Sequence, residues 1–347
     1  MAEARAVPGA ALARFVARRA LLLAPLLIVV SFLCFMLVRL GGQDPVAMLA
    51  GPTATAAEIE MIRTALALDQ PLWAQFAVWL GNVLQGDLGR SWLSNRPVLT
   101  ELLDRAPATL ELLLYGVGIG ALIGIPVGLK AAQRPDGVFD QASRFLSLLG
   151  FSTPTYWLGL MMLFVFFYLL DWAPPGMGRL NLMVDPPPRV TGSYLWDALL
   201  AGQREAAASA AAQLVLPVIC IAIISAAPII KQTRAIALEV LSSDFIRYAR
   251  AQGLPARDVR RMVLRNSMVP VVTFVGTELA GLVGTTALIE YVFAWGGVGQ
   301  YGLSAIIQGD FAAVQGYVLM LAVFSVLVFL VVDVAVMLLE PRAAGRA

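Results

Sequence analysis

The sequence predicts an all-α integral membrane protein of about six transmembrane helices with a helical cytoplasmic insert, and three observations predict it. Of its 347 residues 59% are hydrophobic and only 14% charged, with a mean hydropathy of +0.78, whereas soluble domains carry roughly 25% charge. Six segments, about 20–40, 110–130, 146–170, 211–230, 269–292 and 314–339, approach or exceed the roughly 20 apolar residues that cross ~30 Å of hydrocarbon. Between the fourth and fifth runs a basic, helix-forming stretch from Lys231 to Pro270 leaves the membrane.

Residues 1–19 form a basic leading segment, and 20–40 the first membrane helix. The latter is longer than a signal-peptide core and no A-x-A-like site follows it, so it is expected to stay in place. Region 41–109 is too polar and too interrupted by Gly and Pro to span, and is expected outside with two amphipathic helices. Thr55-Ala-Ala-Glu58 is a capping-box pattern, followed by Ile59, Ile62 and Leu66 at helical spacing. Pro71 suits the first turn of a second helix with the stripe Trp73, Phe76, Leu80, Leu84, and Trp73, Trp79 and Trp92 suit an outer membrane interface. These helices are either lids packed on the bundle or a binding surface.

Residues 110–342 make a five-helix core. Pro154 in the third segment and Pro217 and Pro228 in the fourth predict kinks. The stretch 171–210, with Pro186-Pro187-Pro188, reads as a stiff extended loop leading through Ala206–Ala212 into the fourth helix. Region 294–313 reads as a short external segment whose Gly296-Gly297 and Gly299 permit a tight re-entry, and 343–347 as a tail. Most of the 25 Lys and Arg residues fall in 1–19, 130–144, 231–265 and 340–347. By the positive-inside rule these regions and both termini are cytoplasmic.

The insert, 231–268, carries the most specific expectation. Ser243 can cap a short helix by accepting a backbone N–H bond, Gly253 can end it in a left-handed turn, and Leu254-Pro255 restarts a second helix. Phe245 and Tyr248, three residues apart, share a face with Ala249 leaving room beside them. The insert is either a knob for a partner's groove or a solvated linker whose aromatics fold back on the membrane. Within the membrane, Glu278 and Asp333 stand out because a buried charge needs a cavity or a partner. Glu278 either borders a path or hydrogen-bonds a neighbouring helix, and Asp333 reads as structural near the cytoplasmic headgroups. Gly276, Gly281 and Gly284 allow close helix approach or a widening beside Glu278.

Other classes are disfavoured. With no histidine, Ser-His and Cys-His catalysis and His-ligated metals fall away, so no catalytic or metal-binding residue is assigned. Cys34 and Cys220 lie in apolar runs and read as packing residues. There is no G-x-x-x-x-G-K-[ST], so nucleotide hydrolysis is not expected in this chain, and nothing points to nucleic acid. A self-sufficient secondary transporter would show inverted repeats, which are absent.

The chain resembles, nearly end to end from Arg18-Arg19 to Pro341-Arg342, the permease subunits of bacterial ABC importers for dipeptides, oligopeptides, glutathione or nickel. The most specific part runs from Asp244-Phe-Ile-Arg-Tyr-Ala-Arg-Ala-Gln-Gly253-Leu to Arg265-Asn266 and Pro270-Val-Val-Thr273, which looks like this subfamily's EAA loop. Supporting matches are Leu68–Leu72, Gly86–Ser91, Ile125–Gly128, Ile289-Glu290 through Trp295, Asp310 with Gln315-Gly316, and Glu340–Arg342. Arg247 stands where many members have Glu, and Ala294-Trp295-Gly296-Gly297 where Ala-Trp-Pro-Gly is common. The resemblance implies a type I ABC importer permease fold in the bacterial inner membrane, in which Asp244, Phe245, Arg247, Tyr248, Ala249, Arg250, Gly253 and Leu254 form a coupling helix. The path candidates are Glu278, Gly281 and Gly284. It also implies partners: a second, homologous permease, two ATPase subunits that bind ATP and Mg, and an external solute-binding protein. Short peptides are the favoured cargo, with nickel chelates or glutathione as alternatives.

Overall fold

The computed structural model describes residues 9–40, 55–65 and 70–339. Its helices are α1 (Gly9–Leu40), α2 (Ala56–Ala65), α3 (Leu72–Leu84), α4 (Val98–Gln133), α5 (Val138–Ser152), α6 (Thr155–Met162, continued by a π-helical turn, Leu163–Leu169), α7 (Tyr194–Leu200), α8 (Arg204–Ser242), α9 (Asp244–Ala251), α10 (Ala256–Val292), α11 (Val298–Gln308) and α12 (Phe311–Leu339). Among the described residues α4, α8, α10 and α12 are each long and apolar enough to cross a bilayer. The pair α5 and α6 makes a fifth candidate, bent by 98°. Helix α1 covers the expected first span, and its apolar stretch runs Pro25–Met36. Leu66 and the segments 41–54 and 340–347 lie outside the described residues.

The third segment is thus broken rather than kinked. A proline disfavours α geometry in the residue before it, and Thr153 and Pro154 are both extended, with ψ of 122° and 131°. Pro217 and Pro228 leave α8 continuous over 39 residues. Region 294–313, expected as a short glycine-rich segment permitting a tight re-entry, is mostly the helix α11, entered through a turn in which Gly296 has φ +76°.

The bundle is built on the contact of α4 with α8. Helix α4 presents Gly116, Gly120, Gly124 and Gly128, one per turn. A Cβ on these would lie 2.4 Å from the Ile221 side chain, 2.0 Å from Ser225 Oγ, 2.8 Å from Ile229 and 2.7 Å from the Ile230 carbonyl. The backbones therefore touch, and this is how helices associate where lipid removes the hydrophobic drive between them. Leu112, Leu113, Cys220, Ile221, Ile289 and Trp295 complete a buried core beside the seam. Cys34 and Cys220 are both free and buried.

Outer elements attach by specific contacts. Gly276 of α10 faces Val332 of α12, leaving no room for a Cβ. Arg19 of α1 pairs with Asp333 of α12 at 2.5 Å, the structural role expected for that carboxylate. Phe76 and Trp79 of α3 pack on Phe32 and Phe35 of α1. The stripe expected on α3 is rotated accordingly: Trp73 and Leu84 are exposed, and Gln75 is buried in their place. Helix α2 carries the expected capping box, with Thr55 N–H donating to Glu58 Oε2 at 2.7 Å and Glu58 N–H to Thr55 Oγ1 at 3.3 Å.

Gly120→Val should lower the thermal stability of the detergent-purified chain by at least about 1–3 kcal/mol, because the added side chain overpacks the seam. Gly281→Ala, where nothing lies within 4 Å, should leave the melting temperature unchanged or slightly raised. A melting curve for Gly120→Val that overlays the wild type would mean that α4 and α8 do not pack backbone to backbone.

Candidate functional site

Helix α9 hangs between α8 and α10 at one end of the bundle, with Ser243 the single residue between it and α8 in the chain. Ser243 does not cap it as expected: its hydroxyl donates backwards to the Val240 carbonyl at 2.5 Å, satisfying the end of α8, and no side-chain cap serves α9. The other end follows expectation. Gly253 adopts φ +73°, its N–H donates to Arg250 O at 3.0 Å, and Leu254 N–H donates to Ala249 O at 3.2 Å. This is the paired closure of a Schellman motif, in which the left-handed residue is ordinarily glycine.

The two faces of α9 differ sharply. Ile246 is 0% exposed and packs with Ala132, Ala237, Val259 and Val263, and Ala249 on the same helix is also buried; burying a side chain such as Ile246 stabilises by about 1.5–3 kcal/mol. Ala249 therefore sits on the anchoring face rather than leaving room beside the aromatics. Phe245 and Tyr248 point away, 43% and 67% exposed, and Asp244 pairs with Arg247 on the surface between them. Arg250 and Leu254 border an adjoining groove that is also lined by Arg257, Arg260 and Arg261 of α10. The helix is thus held rigidly from behind while two aromatics and a basic rim remain available.

A cavity of about 980 Å³ opens between α5, α8 and α10. Glu278 lines it together with Phe274, Phe145, Phe151, Lys231 and Arg144, and the Glu278 side chain makes no hydrogen bond or ion pair with the described residues. The alternative expectation, a hydrogen bond to a neighbouring helix, has no counterpart among the described residues. Gly281 and Gly284 face open space on the same helix, whereas Gly276 is used for helix contact. Arg234 also lines the cavity, and its Nη2 donates to Asp140 Oδ2 at 2.7 Å.

At the opposite end lies a buried polar clasp that sequence reasoning missed. Glu290, fully buried, accepts from Thr109 Oγ1 of α4 at 2.6 Å and from Gln300 N–H of α11 at 2.8 Å. Thr109 Oγ1 in turn accepts from Val298 N–H at 2.8 Å, and Trp295 Nε1 donates to Ala108 O at 3.0 Å. A Cβ at Gly297 would collide with Glu290 and Thr109 at 2.5 Å. The Ala294–Gly297 turn is therefore locked without a proline. Ser91 Oγ likewise donates to Asp310 Oδ2 at 2.5 Å, joining two of the segments that carry the family resemblance.

The loop 171–193 is pinned to this end. Arg179 donates to Glu111 Oε2 at 3.1 Å and to Gly192 O at 2.8 Å, and Ser193 Oγ donates to Glu111 Oε1 at 2.5 Å. Asp197 of α7 gathers the loop's end, accepting from Thr191 N–H and Oγ1 at 2.6 and 2.7 Å and from Gly192 N–H at 3.0 Å. Burial pushes the Asp197 carboxyl up, but these bonds and one from Val190 outweigh it and hold it below the usual carboxylate range.

Residues 124–345 match the family described as the binding-protein-dependent transport system inner membrane component, and residues 12–113 match the N-terminal region of such membrane components. The chain is 40% identical over 321 residues to the probable D,D-dipeptide transport system permease protein DdpB of Escherichia coli (strain K12), covering 91% of this chain and 94% of that one. It is 38% identical over 331 residues to the di/tripeptide transport system permease protein DppB of Pseudomonas aeruginosa, covering 94% and 98%. To the dipeptide transport system permease protein DppB of Escherichia coli (strain K12) it is 36% identical over 334 residues, covering 95% and 98%.

Because the folded-state pKa of Asp197 is depressed, its contribution to stability is present above the unfolded value near ~3.9 and is lost as pH falls through the folded value. Amide exchange at Thr191 and Gly192, corrected for intrinsic rates, should therefore accelerate as pH falls from neutral to below about 4. In Asp197→Asn it should already be fast at neutral pH and respond little to acid. Slow exchange in the variant would show that the carboxylate does not hold this loop.

Proposed function

The chain belongs to the family of inner-membrane components of binding-protein-dependent transport systems, and on that premise we propose that it is the permease subunit of an ATP-driven importer of short peptides, worked through α9. The peptide cargo is supported by the names of the three relatives reported above, which are dipeptide or di/tripeptide transport system permeases. Nickel chelates and glutathione are the other cargoes of this kind of importer. A second homologous permease completes the path, two ATPase subunits bind ATP and Mg beneath it, and an external solute-binding protein delivers cargo. The α9 end, with both termini, is cytoplasmic.

One observation carries the coupling role: α9 buries Ile246 in the bundle while presenting Phe245 and Tyr248 outward. Exposed aromatics on a rigid helix suit a partner's groove, because little side-chain entropy remains to be lost on docking. ATP binding closes the ATPase pair and displaces α9. With one residue linking it to α8 and a capped turn linking it to α10, the displacement passes to the two helices that flank the Glu278 cavity. ATP drives the exchange of inward- and outward-facing states only by favouring one of them.

Tyr248→Ala and Gly253→Val test the coupling. A Cβ at Gly253 meets no atom within 4 Å, so valine there acts through backbone strain, on the order of 1 kcal/mol, and re-aims the helix. Both variants should insert and accumulate normally while uptake falls at least about tenfold, which takes about 1.4 kcal/mol of lost coupling. Stimulation of the ATPases by loaded binding protein should fall with it. Full uptake with bound ATPases would move coupling to another segment, such as 130–144.

Orientation is tested separately. A cysteine at Gly137 should react with impermeant thiol reagents only from the cytoplasm, and one at Asn95 only from outside. Labelling of Asn95→Cys from the cytoplasm would invert the topology.

A further inference from the structure

The cavity between α5, α8 and α10 combines features that a mere gap in packing lacks. Its walls are aromatic and aliphatic, with Phe145, Phe151 and Phe274 beside Ala227 and Ile230, and its charged groups are of both signs. The cations are not equivalent. Arg234 is committed to Asp140 through two nitrogens, and Arg144 lies 3.7 Å from Asp136. Lys231 has no partner among the described residues, and neither has Glu278. Glu278 is only partly exposed, and a carboxylate so placed without a neutralising neighbour is costly; Lys231, itself exposed, lines the same apolar-walled space, so a ligand carrying both charges meets the two groups at once. Ligand sites generally combine apolar walls with a few convergent polar groups in a volume of roughly 300–1,000 Å³.

We propose that this cavity is a transit site for a zwitterionic short peptide, in which Glu278 receives the α-ammonium and Lys231 the terminal carboxylate, while the phenylalanines contact side chains of any kind. The proposal rests on the peptide-permease reading and adds a chemical criterion to it. The permease itself reads the two charged termini and not the side chains between them. The site remains compatible with many sequences because its polar contacts are confined to groups that all free peptides share. Its hold on the cargo stays weak, since a path that bound tightly would trap what it must release.

Two measurements test it in the complete assembly reconstituted in liposomes. The first is uptake of alanyl-alanine at saturating loaded binding protein. Glu278→Gln and Lys231→Gln should each lower the maximal rate by roughly five- to tenfold. The concentration of loaded binding protein giving half-maximal uptake should not change, and the double exchange Glu278→Lys/Lys231→Glu should recover part of the loss. The second needs neither charged residue altered. A cysteine at Leu148, exposed in the cavity wall, should react with a maleimide from the α9 side, and millimolar alanyl-alanine should slow that reaction, whereas N-acetyl-alanyl-alanine amide should not. Wild-type uptake in both single variants, or equal protection by the free and the blocked peptide, would overturn the proposal. Absence of peptide uptake by the wild-type assembly would instead overturn the peptide cargo on which it rests.

Discussion

The row of glycines on α4 is the constraint on which the rest of the bundle depends. In lipid, apolar side chains gain nothing by leaving one apolar surroundings for another, so helices are held by close van der Waals contact and buried hydrogen bonds. Four glycines at one-turn spacing let α4 lie directly on α8, at distances that would not admit a single added carbon. This pair is the plate to which the other elements attach. The clasp at Glu290 fixes α10 and α11 to one end of α4, and Ile246 fixes α9 to the other.

The buried polar groups then fall into two kinds. Four carboxylates at the end opposite α9 are satisfied: Glu290 and Asp310 accept from donors on different elements, and Glu111 and Asp197 each gather several donors of the loop 171–193. Such groups specify one arrangement, since moving any element leaves a charged or polar group unpaired at a cost of about 1–3 kcal/mol or more. Those around the cavity are not all satisfied. Glu278, partly buried, has no partner among the described residues and neither has the exposed Lys231, whereas Asp140 and Arg234 are locked together. The chain is thus stiff at one end, and at the other it offers a space between α5, α8 and α10 bordered by the two helices that α9 joins. The clasp and that space lie at opposite ends of the bundle and share no residue.

Local features were legible in the sequence and pairwise ones were not. The Thr55–Glu58 box and the left-handed Gly253 depend on a few consecutive residues, and both stand as expected. Ser243 misled because its hydroxyl had two possible partners, and the carbonyl behind it won. Ala249 was placed beside the aromatics although an i, i+3 spacing from Ile246 puts it equally on the opposite face, and only the packing partner decides. The glycine row on α4 is visible as spacing, but its meaning requires knowing that α8 lies against it. Glu290 went unnoticed among intramembrane carboxylates because it sits near the end of an apolar run, where charge is unremarkable until the helix end is found buried. The break at Pro154 exceeds the expected kink because Thr153 left the helix as well.

The central claim is that α9 meets the ATPase and carries its motion to the cavity, and site-specific photocrosslinking from position 248 in the assembled complex tests it most directly. With p-benzoylphenylalanine in place of Tyr248, the main product should be an adduct with an ATPase subunit, its yield changing between nucleotide-free and ATP-bound states. The same probe in place of Trp73, on α3, should give none. Adducts from position 248 with lipid alone, together with ATPase adducts from Phe139 of α5, would contradict the account by placing the contact on a different helix.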